Sequence, residues 1–382
     1  METRKLYYED CMLRQFSAKV VACRKTDKGY QVELDATAFY PEGGGQACDK
    51  GTLGNVRVLD VREEGEAVLH LCDGPLTVGE TVTGELDWER RFDLMQQHAG
   101  EHIVSGIIHK MIGGHNTGFH VGGDVLTVDF DVPITPETLA EIEKQANQAV
   151  FQDIPLRCWI PSEQELPLVV YRTKRALPWP VRIVQIPGYD SCACCGVHVA
   201  RTGQIGMIKI LSCVKFHEGV RLEMVCGGRA LDFMGRVLEQ NRQVSQAFSA
   251  KLLETGEAAR RMNEQLGAEK FRAAALEKQL FDLLAERYVN HKDVLYFADG
   301  LSASGVRELA DRIAGQCSGV AAVFSGSDRE GYAVCLVSRS QNVSGLGKKM
   351  NEALSGRGGG KEGFFQGSVK ASRTRIEEFF RG

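Results

Sequence analysis

Two short stretches, HAGEH at residues 98–102 and CCGVH at residues 194–198, carry most of the structural and chemical information in this sequence. Each places two good metal donors four residues apart. Together they supply three imidazoles and a thiolate, a ligand set that suits Zn²⁺. The first motif alone is weak, because the chain has nine histidines among 382 residues. The second motif, in a glycine-containing turn, favours a shared zinc site over histidines that are simply buried in a core or exposed on a helix.

The first motif lies in a stretch with helical periodicity. Residues 91–112 are predicted to form a helix that ends at Gly113 and Gly114. Its apolar stripe consists of Phe92, Met95, Val104, Ile107, Ile108 and Met111. His98 and His102 are one helical turn apart, so we expect their side chains to point the same way and to share one ion.

The second motif offers several thiols. Cys194 keeps the four-residue spacing to His198, whereas Cys192 and Cys195 are reserve candidates for which an ordinary buried thiol is the favoured interpretation. If all four donors bind, the shell is closed and the zinc is structural. Catalysis needs an open position for water or substrate, and the sequence leaves both alternatives open.

The first 88 residues alternate short apolar runs with turns rich in Gly, Asp and Lys, which predicts a small antiparallel sheet or barrel. Within this region, residues 37–46 read TAFYPEGGGQ. Three successive glycines provide no side chains for a regular strand core. They favour a mobile loop or a backbone that approaches a ligand closely.

The second half of the chain has a different composition. Residues 229–288 contain no proline and repeat apolar residues at helical spacing, which predicts a long helix or a helical pair with breaks at Gly256 and Gly267. A linker that packs on its neighbours and a dimerising coiled coil are the two interpretations. From residue 294 the pattern is strand–helix–strand–strand–helix, followed by a loop at residues 355–361 and a final helix.

The predicted fold class is therefore α+β and multidomain, and 382 residues suffice for two or three domains. We expect a small β-barrel or sheet domain at residues 1–90 and an α+β core with helix-borne zinc ligands at residues 91–230. A helical linker or possible coiled coil follows at residues 231–288. The last expected domain, at residues 289–382, is α/β.

Composition indicates an ordinary soluble protein, with 43% hydrophobic residues and a formal net charge of −4. The net charge of the whole chain does not indicate binding to nucleic acid. Residues 341–382, however, hold eight Lys and Arg against four Asp and Glu, so a local basic surface is expected there. The sequence contains no apolar run that approaches the roughly 18 residues of a membrane span, and its start lacks the core of a signal peptide. Twelve cysteines without framework spacing favour a reducing cytosol, so we expect a cytoplasmic protein.

Three motifs in this order resemble those of a known family. Residues 37–46, residues 98–102 and CCGVHVARTGQIG at residues 194–206 are similar to the free-standing alanyl-tRNA editing proteins of the AlaX type. These are relatives of the editing domain of alanyl-tRNA synthetase and of the second additional domain of threonyl-tRNA synthetase. The glycines at residues 356–360 and the pair Gln366-Gly367 resemble the domain that follows DHH phosphoesterases and ends alanyl-tRNA synthetase, which indicates the long form.

The resemblance implies a zinc-dependent hydrolase that cleaves the ester between a wrong amino acid, serine or glycine, and the terminal adenosine of tRNA(Ala). Its implied zinc ligands are His98, His102, Cys194 and His198. The glycine-rich loop would lie near the aminoacyl end, and the implied substrate-binding residues are Thr37, Gly43, Gly44, Gly45 and Gln46. The candidate catalytic groups are Gln46 and Glu101, although an exposed helix carboxylate is the commoner role for the latter.

Two residues between the histidines depart from the family pattern. Relatives usually carry Thr or Ser at the position of Ala99, and often Gln at the position of Glu101. If the missing hydroxyl helps to recognise serine, the preferred amino acid changes. The extra carboxylate could add a base or repel RNA phosphate.

Three other functions remain as alternatives. HAGEH fits the His-x-x-Glu-His signature of the inverted zinc peptidases, but those enzymes take a carboxylate as third ligand, and the strongest downstream motif here is Cys-x-x-x-His. A non-catalytic RNA-binding relative with structural zinc is the second alternative. A phosphoesterase is the third, and the Asp-His-His segment that it needs is absent from the sequence.

Mischarged tRNA(Ala) is the expected partner, with no membrane and a possible homodimer through the helical linker or the C-terminal domain. Candidate RNA contacts are basic residues spread along the chain: Arg90, Arg91, Lys174, Arg175, Lys209, Lys215, Lys348, Lys349, Arg357 and Lys361. The glycines at residues 356–360 do not form a P-loop, because Gly347-Lys348 is followed by Lys349 where that motif has Ser or Thr. This segment either cradles RNA backbone or is a flexible turn.

Overall fold

A computed structural model describes residues 2–173 and 177–381 of the chain. The described chain forms two compact units, Met1–Gln243 and Val244–Gly382. Within the described residues, every helix is too short or too polar to cross a membrane.

The first unit begins with a strand-rich region. Its elements are β1 (Arg4–Lys5), α1 (Leu6–Glu9), β2 (Gln15–Thr26), β3 (Gly29–Leu34), β4 (Ala36–Thr37), β5 (Gly51–Leu53), β6 (Val56–Glu64), β7 (Ala67–Cys72) and β8 (Thr81–Leu86). Six strands close into a barrel in the order β2-β3-β7-β6-β5-β8. Every second residue of β2 from Phe16 to Val20 is buried, because alternate side chains of a strand point to the same face.

The remainder of this unit contains helices and two further sheets. Its elements are α2 (Trp88–Ile112), β9 (Asn116–Val121), β10 (Leu126–Phe130), α3 (Pro136–Phe151), β11 (Arg157–Trp159), β12 (Ile183–Ile186), β13 (Asp190–Ala193), β14 (Ile208–Phe216), β15 (Gly219–Cys226) and α4 (Gly227–Ala247). The sheets have the orders β14-β15-β10-β9 and β11-β12-β13. The apolar faces of α2 and α3 and the strands of the four-stranded sheet share one hydrophobic core.

Helix α2 carries the first motif and is confirmed with its predicted end at residue 112. Asp87 caps its first turn by accepting from the Arg90 N–H, and Gly113 ends it in the left-handed conformation at φ 71°. Two glycines inside the helix allow close packing. A Cβ at Gly106 would lie 2.7 Å from the Asp190 Cβ, so the missing side chain lets β13 approach the helix.

A buried ion pair ties the start of α2 to the segment before β5. The Arg91 guanidinium contacts the Asp49 carboxylate, and both side chains are at most 1% exposed. Arg91 also donates to the Ala38 carbonyl, and Asp49 accepts from the Tyr40 N–H at 2.6 Å. The prediction that Arg91 contacts RNA is therefore wrong, because the side chain is fully buried and its charge is already paired.

Inside the barrel, a histidine is buried with neutral partners. His70 is completely buried, with Nδ1 3.1 Å from the Val32 carbonyl oxygen and Nε2 2.8 Å from the Thr37 Oγ1. Nδ1 must donate to the carbonyl, so Nε2 accepts from the Thr37 hydroxyl. Burial lowers the pKa of His70 to about 4. The ring therefore stays neutral in the folded chain at pH values where an unfolded chain would protonate it.

This burial predicts that the first unit loses stability between pH 6.5 and pH 4, because only the unfolded chain takes up a proton at His70 there. The expected loss attributable to this ring is about 3 kcal/mol, because folding lowers the pKa of His70 from its ordinary value of about 6.5 to about 4. The three tryptophans of the chain, residues 88, 159 and 179, all lie in the first unit, so their fluorescence in urea titrations follows its unfolding. A His70→Gln variant should show a weaker acid dependence than the parent; equal dependence would contradict the assignment.

The second unit is built around one mixed sheet. Its elements are α5 (Thr255–Glu286), β16 (Val294–Ala298), α6 (Ala303–Ala314), β17 (Val320–Ser327), β18 (Gly331–Ser338), α7 (Ser344–Ala353), β19 (Arg357–Lys361), β20 (Phe364–Val369) and α8 (Arg373–Arg381). The strand order is β16-β17-β18-β20-β19, with only β16 and β17 parallel. This matches the strand–helix–strand–strand–helix pattern that the sequence predicts.

The glycine-rich segment near residue 358 is not a loop. Residues 357–361 form the edge strand β19, paired with β20. A Cβ at Gly358 would lie 2.5 Å from the Gln366 carbonyl oxygen, so the glycines permit a close strand pairing rather than a flexible turn.

The predicted helical pair is confirmed, with its break between α4 and α5. Gly256 lies in the first turn of α5, but the predicted break at Gly267 is wrong because the helix continues through it. Several apolar side chains of α5 are exposed, among them Leu276, Leu280 and Leu283. The homodimer that this segment suggests stays a prediction.

Candidate metal centre

The structure brings together the four donors that the sequence singles out. Helix α2 supplies His98 and His102, and the segment after β13 supplies Cys194 and His198. Their ligand atoms all lie within 4.8 Å of one another. The Cys194 Sγ is 3.4 Å from the His98 Nε2 and 3.8 Å from the His198 Nε2. The histidines are buried, so this cluster could hold a metal ion away from bulk water.

Two of the three imidazoles are oriented by a hydrogen bond from their other ring nitrogen. The His98 Nδ1 donates to the Gln46 Oε1 at 2.8 Å, and the His102 Nδ1 donates to the Asp190 Oδ2 at 2.8 Å. In a neutral ring each bond places the proton on Nδ1 and leaves Nε2 available as a ligand atom, as metal-binding histidines require. The buried His198 Nδ1 has no such partner among residues 2–173 and 177–381.

The cysteine turn is held in place by two side chains, those of Arg182 and Tyr8, and by its own backbone. The Gly196 N–H lies 3.4 Å from the Cys194 Sγ, a contact that favours a thiolate. Arg182 donates from Nη1 to the carbonyls of Cys194 and Gly196, both at 2.9 Å. The Tyr8 hydroxyl donates to the Cys195 carbonyl at 2.7 Å. These bonds fix the direction of the Cys194 side chain.

At Cys194 and His198 the electrostatics of the cluster favour the forms of the side chains that bind metal. Burial raises the pKa of the Cys194 thiol, but His98, His198 and His102 lower it more strongly, and the net pKa is well below its usual range. Burial, and then the charge of His98, lower the pKa of His198 to about 3. A thiolate and a neutral imidazole are the states that coordinate a transition metal.

The glycine-rich loop lies against the cluster, and its glycines make close contacts with protein atoms. Gly43 and Gln46 exchange backbone hydrogen bonds of 3.1 and 3.0 Å, which close the turn. Gly44 and Gly45 have φ values of 61° and 82°. A Cβ at Gly44 would lie 3.1 Å from the Cys195 Sγ, and one at Gly45 would lie 3.0 Å from the Phe119 carbonyl oxygen. The glycines are therefore required for packing beside the site.

Two of the predicted site residues are engaged elsewhere. Thr37 is fully buried and its hydroxyl bonds to His70 inside the barrel, so it does not join the cluster. Glu101 is only 4% exposed, which differs from the exposed carboxylate expected as its commoner role. Its Oε1 accepts from Ser105 and from the Asn116 Nδ2, so it links α2 to β9 outside the four-donor cluster.

The other predicted thiols and basic residues take varied positions. Cys192 is half-buried and Cys195 is exposed, so neither is the fully buried thiol that the sequence favours. Arg90 donates to the Cys48 carbonyl and Lys209 pairs with Glu143 at 2.6 Å. The exposed basic candidates are Lys215, Lys348, Lys349, Arg357 and Lys361. The remaining two, Lys174 and Arg175, lie outside the described residues.

Sequence reasoning singled out Gln46 but missed the other outer partners of the cluster. The buried Asp190 pairs with the half-buried Arg172 behind His102, and the Phe119 ring lies 5.0 Å from the His98 ring. These residues lie outside both motifs and follow no spacing rule that would mark them. Their only sequence signal is that Asp190 begins the short segment that ends in Cys194.

Comparison with known proteins identifies the family. The models that match are the threonyl and alanyl tRNA synthetase second additional domain at residues 181–222, class II (A) tRNA synthetases at residues 2–90, and the DHHA1 domain at residues 291–381. An alanyl-tRNA editing protein, Aarsd1-A from Xenopus laevis, is 30% identical over 96% of this chain and 94% of its own length. The chain belongs to the alanyl-tRNA editing protein family.

Two further relatives show how much of this chain, and how much of each relative, the similarity covers. Alanyl-tRNA editing protein Aarsd1 from Mus musculus is 29% identical over 97% of this chain and 95% of its own length. Alanine–tRNA ligase from Pyrobaculum neutrophilum is 32% identical over 99% of this chain but only 44% of its own length. This alanyl-tRNA editing protein family member thus spans less than half of that ligase. The matched segment 181–222 includes the cysteine turn, Arg182 and Asp190.

Proposed function

We propose that this chain acts in alanyl-tRNA editing as a zinc-dependent hydrolase that deacylates mischarged tRNA(Ala), with Ser-tRNA(Ala) and Gly-tRNA(Ala) as substrates. Family membership supports the role in editing. The observation that carries the chemistry is the cluster of three imidazoles and one thiol, all within 4.8 Å, beside a glycine-rich loop. Binding alone discriminates poorly between small side chains, which is why a separate hydrolytic site is useful.

The donor set fits zinc. Nitrogen and sulfur ligands in a four-donor, compact arrangement suit Zn²⁺, and His98, His102, Cys194 and His198 would hold it. A zinc ion with one position left open would supply Lewis-acid polarisation of an ester carbonyl or a water of lowered pKa, whereas an ion held by all four donors would organise the site. Within the part of the chain that the structure describes, the buried His198 Nδ1 has no hydrogen-bond partner, which makes His198 the imidazole with the least support there.

The other residues of the site position the reacting groups. Gln46 aims His98, and the reciprocal bonds between Gly43 and Gln46 hold the loop beside the cluster. Glu101 is tied to Ser105 and Asn116, which favours an anchoring role for this carboxylate over that of general base. A precise site of this kind lowers the barrier by placing the ester and a water correctly, and ester hydrolysis needs little more.

The proposal predicts that the purified full chain, loaded with zinc, deacylates Ser-tRNA(Ala) or Gly-tRNA(Ala) well above the buffer rate and leaves Ala-tRNA(Ala) intact. The measurement is the loss of radiolabelled amino acid from each tRNA with time. A Glu101→Gln variant should keep its rate if the carboxylate is an anchor. Binding of tRNA(Ala) without turnover of any of the three would instead indicate a non-catalytic RNA-binding protein.

A further inference from the structure

We propose that Asp190 and Arg172 are positioning residues for the metal centre: Asp190 fixes the ring of His102, and Arg172 fixes Asp190. This inference rests on the metal-binding part of the proposed function. It does not depend on the identity of the substrate.

Asp190 is placed to control one ligand only. Its carboxylate lies at the start of β13, is 1% exposed and accepts from the His102 Nδ1 at 2.8 Å. An ionised carboxylate can only accept, so the Nδ1 of His102 must carry the proton and Nε2 must be the atom that faces the cluster. The hydrogen bond therefore determines both the tautomer and the rotation of the ring.

Arg172 holds the carboxylate from the other side. Its Nε donates to the Asp190 Oδ1 at 2.7 Å and its Nη2 donates to the Oδ2 at 2.9 Å. The backbone of Arg172 is itself fixed to β13, because its N–H donates to the Ser191 carbonyl at 2.7 Å and its carbonyl accepts from the Ala193 N–H at 2.9 Å. This two-pronged geometry leaves Asp190 little freedom to turn away from His102.

The three imidazoles of the centre differ in their outer partners. Among the described residues, His98 has a neutral amide acceptor, Gln46, His102 has a charged acceptor, Asp190, and the His198 Nδ1 has no acceptor. Hydrogen bonding to a carboxylate raises the basicity of a metal-bound imidazole. We therefore assign His102 as the ligand whose affinity depends most on its surroundings.

The chain contains a matched control for this arrangement. His115 and Asp131 form the same kind of bond, Nδ1 to Oδ2 at 3.0 Å, but their side chains are 65% and 43% exposed and lie outside the four-donor cluster. Asp131→Asn therefore makes the same chemical change as Asp190→Asn in a His–Asp pair that the proposal gives no role in metal binding.

The test measures zinc affinity of the full chain by competition with a chromophoric chelator, and the visible spectrum of the Co²⁺-loaded protein. Asp190→Asn should weaken zinc binding about 10- to 100-fold and alter the Co²⁺ spectrum, while Asp131→Asn changes neither. Zinc affinity of Asp190→Asn within twofold of the parent would overturn the proposal, as would a parent chain that binds no zinc.

A second variant keeps the test decisive if Asp190→Asn does not fold. Arg172→Gln leaves the Asp190 carboxylate in place and removes the two hydrogen bonds that Arg172 donates to it. Weaker zinc binding by a folded variant supports the proposal, and unchanged zinc binding overturns it. No tRNA is present in these measurements. Failure of the parent chain to deacylate any tRNA would therefore contradict the proposed function. It would not contradict this inference, which is tested by zinc affinity alone.

Discussion

Replacing Cys194 with serine is expected to remove most of the bound zinc from the full chain and to abolish deacylation. The serine hydroxyl has nearly the same shape as the thiol, but it is a far poorer ligand because it is not ionised near neutral pH. The three imidazoles around Cys194 favour a thiolate, because they hold the pKa of that thiol well below its usual range despite its burial. Metal content after dialysis, measured by atomic emission, gives the result directly.

The neighbouring cysteines provide the controls for this substitution. Cys195 directs its Sγ toward the Tyr40 hydroxyl at 3.8 Å, and Cys192 is not one of the four clustered donors, although its Sγ lies within 4.8 Å of His102 and Asp190. Cys195→Ser and Cys192→Ser should therefore keep the zinc content of the parent. Equal zinc in Cys194→Ser and in the parent, or a larger loss in Cys195→Ser, would show that the ligand set is wrong.

Replacing Arg91 with methionine is expected to destabilise the first unit by about 3–5 kcal/mol, because it leaves the Asp49 charge buried without its partner. The pair is almost fully buried, and Asp49 also accepts from the Tyr40 N–H. The Asp49→Asn change should be similarly severe, since it leaves the Arg91 charge unpaired. The double variant carries neither charge, so we expect it to be destabilised by much less than the sum of the two single changes.

Tryptophan fluorescence in urea titrations measures these effects, because all three tryptophans lie in the first unit. An exposed pair in the same unit serves as control: Arg62 and Asp60 are 2.8 Å apart with side chains 70% and 27% exposed. Arg62→Met should cost less than about 1 kcal/mol. Additive effects of the Arg91 and Asp49 changes would contradict the claim that the two charges compensate each other.

The elements with strong periodicity could be predicted from sequence. Helix α2 has a regular apolar stripe, an N-cap at Asp87 and a glycine stop, so its pattern, cap and end all agree. The strands of the first 88 residues alternate buried and less buried positions, so each strand can be recognised from its own sequence pattern. Local signals of this kind depend on near neighbours in the chain, so they are readable without the fold.

The predictions that failed depend on contacts from distant segments. The glycines of β19 resemble a loop in sequence, but their pairing with β20 makes them a strand. Arg91 reads as a surface cation, and only its contact with Asp49, 42 residues away, shows that it is buried. Gly267 carries a low helix propensity that the long helix α5 overrides.

The candidate site likewise has a part that the sequence predicts and a part that only the fold reveals. The four donors follow a four-residue spacing in each motif, and the structure brings those four residues together. Their outer partners Gln46, Asp190 and Arg172 obey no spacing relative to them, because each is set by how separate segments meet. Likewise, the place of Glu101 in HAGEH makes it a candidate catalytic group, but its partners Ser105 and Asn116 become visible only in the fold, where α2 packs against β9.

The most direct test of the account is deacylation of Ser-tRNA(Ala) and Gly-tRNA(Ala) by the full chain before and after removal of its metal. The metal-free chain should be inactive, and adding one equivalent of Zn²⁺ should restore the rate, with Ala-tRNA(Ala) unaffected throughout. A zinc-loaded chain that hydrolyses neither ester faster than buffer, or a metal-free chain as fast as the loaded one, would contradict a zinc-dependent editing hydrolase.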